Sequence, residues 1–196
     1  MNIKPTLILF GGVNGAGKSS LFEVLSTTEN LGERINVDEI VREKGSWQDK
    51  SLQLSAARIA REMINRCIED HVSFHLESTL TGKSVSRQLQ KATDNGFKVI
   101  MYFVGVDELE IAIERVHKRM ENGGHGVDDR AIKTRFNAMP DNLRRVLPFC
   151  NEAYFYDNTV RFRQIAVHRD GEVLDEDPIL PCWYIKLFDK GSCVQE

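Results

Sequence analysis

The chain has 196 residues, of which 41% are hydrophobic and 28% charged, with a net charge of −3. That length suits one α/β domain with a sizeable core, and the acidic balance argues against a dedicated nucleic-acid binder, which would be basic. No apolar run approaches the roughly 18 residues of a membrane span, and Cys67, Cys150, Cys182 and Cys193 lack CxxC spacing, so they read as free thiols of a reducing cytosol.

The chain opens almost directly on an apolar strand at 2–10, which leaves no room for a signal peptide and sets the expectation of a cytoplasmic protein. Gly12-Val13-Asn14-Gly15-Ala16-Gly17-Lys18-Ser19 follows and matches GxxxxGK[ST] at every fixed position. An amphipathic helix is expected at 17–27. A strand, a glycine-rich turn and a helix are the context this motif needs. Glycines let the loop turn its N–H groups inward around a phosphate chain, and the helix N-terminus adds partial positive charge. Lys18 then reaches the β- and γ-phosphates, and Ser19 is placed to ligate Mg²⁺. The cradle for ATP is Gly12, Asn14, Gly15, Ala16, Gly17, Lys18, Ser19 and Ser20.

A short second strand is expected at 34–37, ending at Asp38-Glu39, followed by a mixed stretch at 40–50. Leu52, Ala56, Ile59, Ala60, Met63, Ile64 and Cys67 recur at helical spacing and predict a helix over 50–69. A third strand at 72–76 ends at Glu77-Ser78-Thr79. Thr81 begins the cap region of a helix at 84–95, which Gly96 stops. A fourth strand covers 97–104. Leu109, Ile113, Val116 and Met120 form the stripe of the next helix, which ends at Gly123-Gly124. Asp128-Asp129 caps another, which Pro140 should interrupt. A fifth strand is expected at 153–156. A hairpin is read around Arg169-Asp170-Gly171-Glu172, with one more strand at 183–185.

Strands and helices thus alternate five times in the first 155 or so residues, which predicts a P-loop NTPase fold: a five-stranded parallel sheet flanked by helices. The whole of 1–196 reads as a single domain, with its core at about 5–158 and a small C-terminal β appendage at about 159–188.

In such sheets ligands sit outside the carboxyl ends of the strands. Asp38, 20 residues after Lys18, can there accept a proton from a hydroxyl that attacks the γ-phosphate. It could also cap the following helix or stand as a strand-end aspartate of Walker B type. Glu77 reads as a group for substrate or a Mg²⁺-bound water, with Ser78 and Thr79 beside it. Arg115, Lys118, Arg119, Arg130, Lys133 and Arg135 form a basic cluster on two helices joined by Gly123-Gly124-His125-Gly126. Such helices can act as a lid whose arginines close over ATP and neutralise the transferring phosphoryl group; the plain alternative is a solvated helix face.

GGVNGAGKSS, NVDEI, ESTLTGKS, GGHGVDDRAIKTRF and FYDNT, in that order over roughly residues 5–160, resemble the zeta-toxin/UDP-N-acetylglucosamine kinase family of P-loop proteins. The resemblance implies an ATP-dependent kinase that phosphorylates the 3′-hydroxyl of a UDP-linked amino sugar. By position, Lys18 and Ser19 would hold ATP and Mg²⁺, Asp38 would be the catalytic base, and Glu77, with Thr79, would bind substrate. Arg119 and Arg135 are the best matches to the family's two phosphate-binding arginines, with Arg130 the next best and assigned to ATP binding. Where the family often has His-x-Val-Pro, this chain has His125-Gly126-Val127-Asp128. Leu180-Pro181-x-Trp183 resembles stand-alone, predicted-ATPase members. An antitoxin-like partner is implied, with no corresponding segment in this chain. Two other readings compete: a kinase for another small polyol, sugar or nucleotide, and an ATP-hydrolysing switch.

Overall fold

The computed structural model describes residues 4–45, 49–124 and 126–191. The first strand, β1 (Thr6–Gly11), is buried along nearly its whole length, with Leu7, Leu9 and Phe10 at 0% exposure. A strand that is apolar on both faces has to lie inside a covered parallel sheet. It does so here, between β3 (Phe74–Ser78) and β4 (Lys98–Gly105), both parallel to it. Outside these lie β2 (Glu33–Ile35), next to β3, and β5 (Glu152–Asp157), next to β4, again parallel.

The sheet does not stop at five strands. β6 (Arg163–Arg169) pairs antiparallel with β5, and β7 (Glu172–Glu176) antiparallel with β6, giving one seven-stranded sheet in the order β2-β3-β1-β4-β5-β6-β7. The expected hairpin is present, with Asp170 at φ 49° and Gly171 at φ 88°, but it extends the sheet's edge and makes the sheet mixed. Its first strand turns the buried Ile165, Ala166 and His168 to the core, which binds it to β5.

Helices cover both faces: α1 (Lys18–Ser26), α2 (Val37–Lys44), α3 (Lys50–Glu69), α4 (Ser84–Asp94), α5 (Leu109–Glu121), α6 (Asp129–Val146) and α7 (Cys182–Leu187). Three differ from the sequence expectation. The stretch after β2 is helical: Asn36 caps α2 by accepting from the Asp38 N–H at 3.0 Å, so Asp38 lies in the first helical turn and not at a strand end. Pro140 does not interrupt α6. It removes one backbone donor, yet buried Ile132 and Met139 before it and Leu143 and Val146 after it anchor both halves to the core. The third difference is 183–185, a helical turn and not a strand, in which Trp183, Tyr184 and Leu187 are buried together.

α7 docks through an aromatic cluster. Tyr184 lies against Phe155 and Phe188, with ring centroids 5.4 and 4.8 Å away. Its hydroxyl donates to Glu176 Oε1 at 3.0 Å and therefore accepts from His168 Nε2 at 2.7 Å. Thr81 bonds Thr79 through its hydroxyl at 2.9 Å, while Lys83 holds the cap position of α4 with no side-chain bond. Among the described residues Cys67, Cys150 and Cys182 are in no disulfide, and Cys193 lies outside the described residues. Among the described residues no helix is long and apolar enough to cross a membrane.

Gly32 turns the chain into β2 at φ 74°, and a Cβ there would collide with the backbone of Ser73, whose carbonyl receives the Glu33 N–H at 2.9 Å. Gly32→Ala should therefore destabilise the fold by about 1–3 kcal/mol, read as a lower denaturant midpoint. An unchanged midpoint would contradict this packing of β2.

Candidate functional site

The turn after β1 is shaped by glycines that no other residue could replace. Gly12, Gly15 and Gly17 have φ values of 143°, 78° and 111°. A side chain at Gly12 would strike the Val104 carbonyl, and one at Gly15 the Ala112 carbonyl. The loop thus lies directly on β4 and the start of α5. Within it the Ala16 N–H donates to Val13 O at 3.2 Å, while the Ala16 carbonyl accepts from Asn158 Nδ2 at 2.8 Å. Lys18 Nζ donates to Val13 O at 3.0 Å, which curls the ammonium back into the loop.

A cleft of about 1280 Å³ opens over this loop, above the ~300–1,000 Å³ usual for one drug-sized ligand. Asn14, Gly15, Gly17, Lys18, Ser19 and Ser20 form its floor. One wall comes from the β3 side, with Asp38, Glu77 and Thr79. The other comes from α5 and α6, with Arg119 and Arg135. Gly12 and Ala16 are buried beneath the floor and act through the loop's shape. Arg130 is exposed on α6 and does not line the cleft. His125 lies outside the described residues, so the proposed lid hinge is described only at its flanks, where Gly123 has φ 77°.

Glu77 is hydrogen-bonded through both of its carboxylate oxygens. Its Oε2 accepts from Ser19 Oγ at 2.9 Å, and its Oε1 accepts from Asn36 Nδ2 at 3.1 Å and Arg34 Nη2 at 3.3 Å. Arg34 also bridges to Glu39 at 2.7 Å and lies 3.7 Å over the Phe22 ring. Glu77 is therefore held in place from the β2 side while it touches the loop serine.

On the opposite wall Arg135 Nη1 donates to Asn14 Oδ1 at 2.7 Å, pinning α6 to the loop. Arg115 also lines the cleft. Its Nη2 donates to Thr159 O at 3.4 Å, and its Nη1 is buried with no protein partner. A buried donor left unpaired is costly, which sets this guanidinium apart from the others of the basic cluster.

The charges meet at Lys18. Burial lowers the proton affinity of its ammonium, moving the pKa from 10.5 to about 8; Glu77 and Asp38 pull it up, and Arg119 and Arg135 push it down. Lys18 thus lies within electrostatic reach of both carboxylates and both arginines. Arg115 belongs to the basic cluster read from the sequence, and Asn158 to the residues after the fifth strand, where ligands are expected; Asn36, Arg34, Gln53 and Ala57 belong to the cleft or its supports and were not singled out from the sequence. Gln53 and Ala57 carry no sequence signal, because they are unremarkable residues of α3.

The sequence profile of the zeta toxin family matches residues 1–170. An uncharacterized protein of Haemophilus influenzae (strain Rd) is 30% identical over 129 residues, which are 66% of this chain and 91% of that protein. Among solved structures, AvrRxo1-ORF1:-ORF2 with ATP superposes with a TM-score of 0.71 at 17% identity, covering 96% of this chain and 64% of that one. The PezAT toxin–antitoxin system of Streptococcus pneumoniae gives 0.62 at 15% identity, over 90% and 72% of the two chains. At such identities the two solved structures speak for the fold. This chain spans just under two thirds of the AvrRxo1 chain.

A ligand's phosphates would hold the Lys18 proton and raise its pKa on binding. Affinity for a nucleoside triphosphate should therefore be full below pH 8 and weaken as pH rises through about 8, by at most about tenfold per pH unit. Calorimetric titration across pH 7–10 checks this; a flat affinity would contradict a depressed Lys18.

Proposed function

This chain belongs to the zeta toxin family, and on that premise we propose that it transfers the γ-phosphate of ATP to a hydroxyl of a small molecule, with a UDP-amino sugar such as UDP-N-acetylglucosamine as the first acceptor to test. The observation that carries the reading is the convergence on Lys18 of Asp38 and Glu77 from one wall and Arg119 and Arg135 from the other. Phosphoryl transfer asks a protein for little covalent chemistry and much positioned charge, and this cleft supplies both signs.

In this reading the P-loop from Gly12 to Ser20 cradles the triphosphate, with backbone N–H groups and the start of α1 facing its oxygens. Lys18 leaves the Val13 carbonyl to hold the β- and γ-phosphates. Arg119, Arg135 and the half-paired Arg115 stabilise the charge that spreads over the transferring group. Arg130 would join them only by a closing motion of α6, because it now lies outside the cleft. Asp38 takes the proton of the acceptor hydroxyl as its oxygen attacks. Thr79 and Asp38 face the acceptor from the β3 side.

The Ser19–Glu77 pair suits Mg²⁺. A hydroxyl and a carboxylate oxygen 2.9 Å apart are hard oxygen donors, and Mg²⁺ near phosphates takes one or two such protein oxygens and keeps waters for the rest. Among the described residues no group of three or more His, Cys, Asp or Glu could form an all-protein cage. Bound there, Mg²⁺ would neutralise charge on the phosphate oxygens. Glu77 then serves the metal side of the site through Ser19, in addition to the substrate role the resemblance implies. The reading places the protein in the cytoplasm, where ATP is supplied, and allows it an antitoxin-like partner encoded elsewhere.

Asp38→Asn tests the assignment, because it keeps the side chain's shape and removes its proton acceptance. ATP affinity should hold within a few-fold while transfer to the acceptor falls by roughly 10²–10⁴-fold. Weakened nucleotide binding, partly restored by extra Mg²⁺, would move Asp38 to the metal. An unchanged transfer rate would remove it as the base.

A further inference from the structure

The family match ends at residue 170, yet the chain beyond it reaches back to the nucleotide site through Trp183. This residue is 5% exposed, and its indole covers Gly105, the last residue of β4, so closely that a Cβ there would collide with the ring. Its two N–H groups both meet carboxylates. The backbone N–H donates to Asp107 Oδ1 at 2.6 Å, and indole Nε1 donates to Asp157 Oδ1 at 3.1 Å.

Those two aspartates hold one short loop. Asp157 Oδ1 also accepts from Thr159 Oγ1 at 2.7 Å and from the Thr159 N–H at 3.3 Å, and the Asp107 N–H donates to Thr159 Oγ1 at 3.0 Å. The loop carries two contacts into the site. Asn158 Nδ2 bonds the Ala16 carbonyl of the phosphate loop, and the Thr159 carbonyl receives Arg115. The chain of bonds therefore runs from Trp183 through Asp157 to Asn158 and Thr159, and from there to the phosphate loop and to a guanidinium with an unpaired donor.

We propose that Trp183 is a positioning residue for the ATP site, fixing the 157–159 loop so that Asn158 and Arg115 present the phosphate loop and the free guanidinium N–H in register. This rests on the ATP reading above. The segment after residue 170 is then a working part of the nucleotide site as well as a cover for the sheet. Without the indole N–H, Asp157 Oδ1 keeps only its Thr159 donors. The loop can then relax away from Ala16.

The test uses the full chain and a fluorescent, non-hydrolysable ATP analogue. Trp183→Phe keeps an aromatic ring over Gly105 and removes the N–H; affinity should fall about three- to tenfold, the scale of one lost hydrogen bond to a charged acceptor passed on in part. Tyr184→Phe, in the same helix, removes the bonds to His168 and Glu176, keeps its ring against Trp183 and takes no hydrogen bond from the 157–159 loop. It should leave affinity within about twofold even where it lowers the melting temperature as much. Asn158→Ala should weaken binding alone, and Trp183→Phe should cost less in that background than in the wild type, because the two share the Asn158 branch and only the Thr159–Arg115 branch is left to lose. Equal binding by Trp183→Phe and wild type would overturn the proposal. So would losses that multiply in the double variant, or a Tyr184→Phe loss that tracks its stability. If Trp183→Phe fails to fold, Thr159→Val loosens the same loop and should show the same loss; unchanged affinity there overturns the proposal too. A wild-type chain that does not bind the analogue overturns the ATP reading itself, and this inference with it.

Discussion

The register of three parallel strands governs the rest of this molecule. Gly11 at the end of β1 stands level with Ser78 of β3 on one side and Phe103 of β4 on the other. Parallel strands all deliver their carboxyl ends to the same edge. The phosphate loop, Glu77, Asp107 and Asp157 therefore arrive together although the chain separates them widely. A slip of one residue in β3 would turn Glu77 to the other face of the sheet and break its contact with Ser19. Such a slip is also costly at Leu76, which is buried between His75 and Glu77 and would give up its place to one of these polar neighbours.

That geometry sets up the electrostatics. The β3 side contributes carboxylates and the α5–α6 side contributes guanidiniums, with Lys18 between them. Brought out of water, Lys18 loses proton affinity, and the two carboxylates recover part of it. A triphosphate entering here would meet an amine that becomes fully charged on binding. Arg135 is lodged against the phosphate loop through Asn14, and Arg115 against the 157–159 loop through Thr159. The α6 wall thus reaches the floor of the cleft through Arg135.

Much of this was legible in the sequence because it is local. Gly12 to Ser19 specify their own loop, and the helix over 50–69 shows its period within its own residues. Other features depend on distant partners. A hairpin signal around Asp170-Gly171 says that two strands pair, but not that Ile165, Ala166 and His168 will dock the first of them on β5. The β-prone triplet at 183–185 is helical because Trp183, Tyr184 and Leu187 share one buried face over Gly105 and Phe155. Asp38 was found by its spacing from Lys18, but its neighbour Asn36 does two jobs that only the fold reveals: it caps α2 and steadies Glu77. Arg115 stood out no more than Lys118 in the same helix. Its buried Nη1 sets it apart, and burial is a tertiary fact.

The central claim is that the cleft moves a phosphoryl group from ATP to an organic hydroxyl. It is tested most directly by incubating the protein with Mg²⁺-ATP and a panel of UDP-sugars, sugars, polyols and nucleosides, then resolving the products by mass spectrometry. The account predicts one acceptor that gains a single phosphoryl group in step with ADP release, with UDP-N-acetylglucosamine the first to examine. ADP and inorganic phosphate formed at the same rate with every acceptor, and no phosphorylated product, would contradict it and leave an ATP-hydrolysing switch.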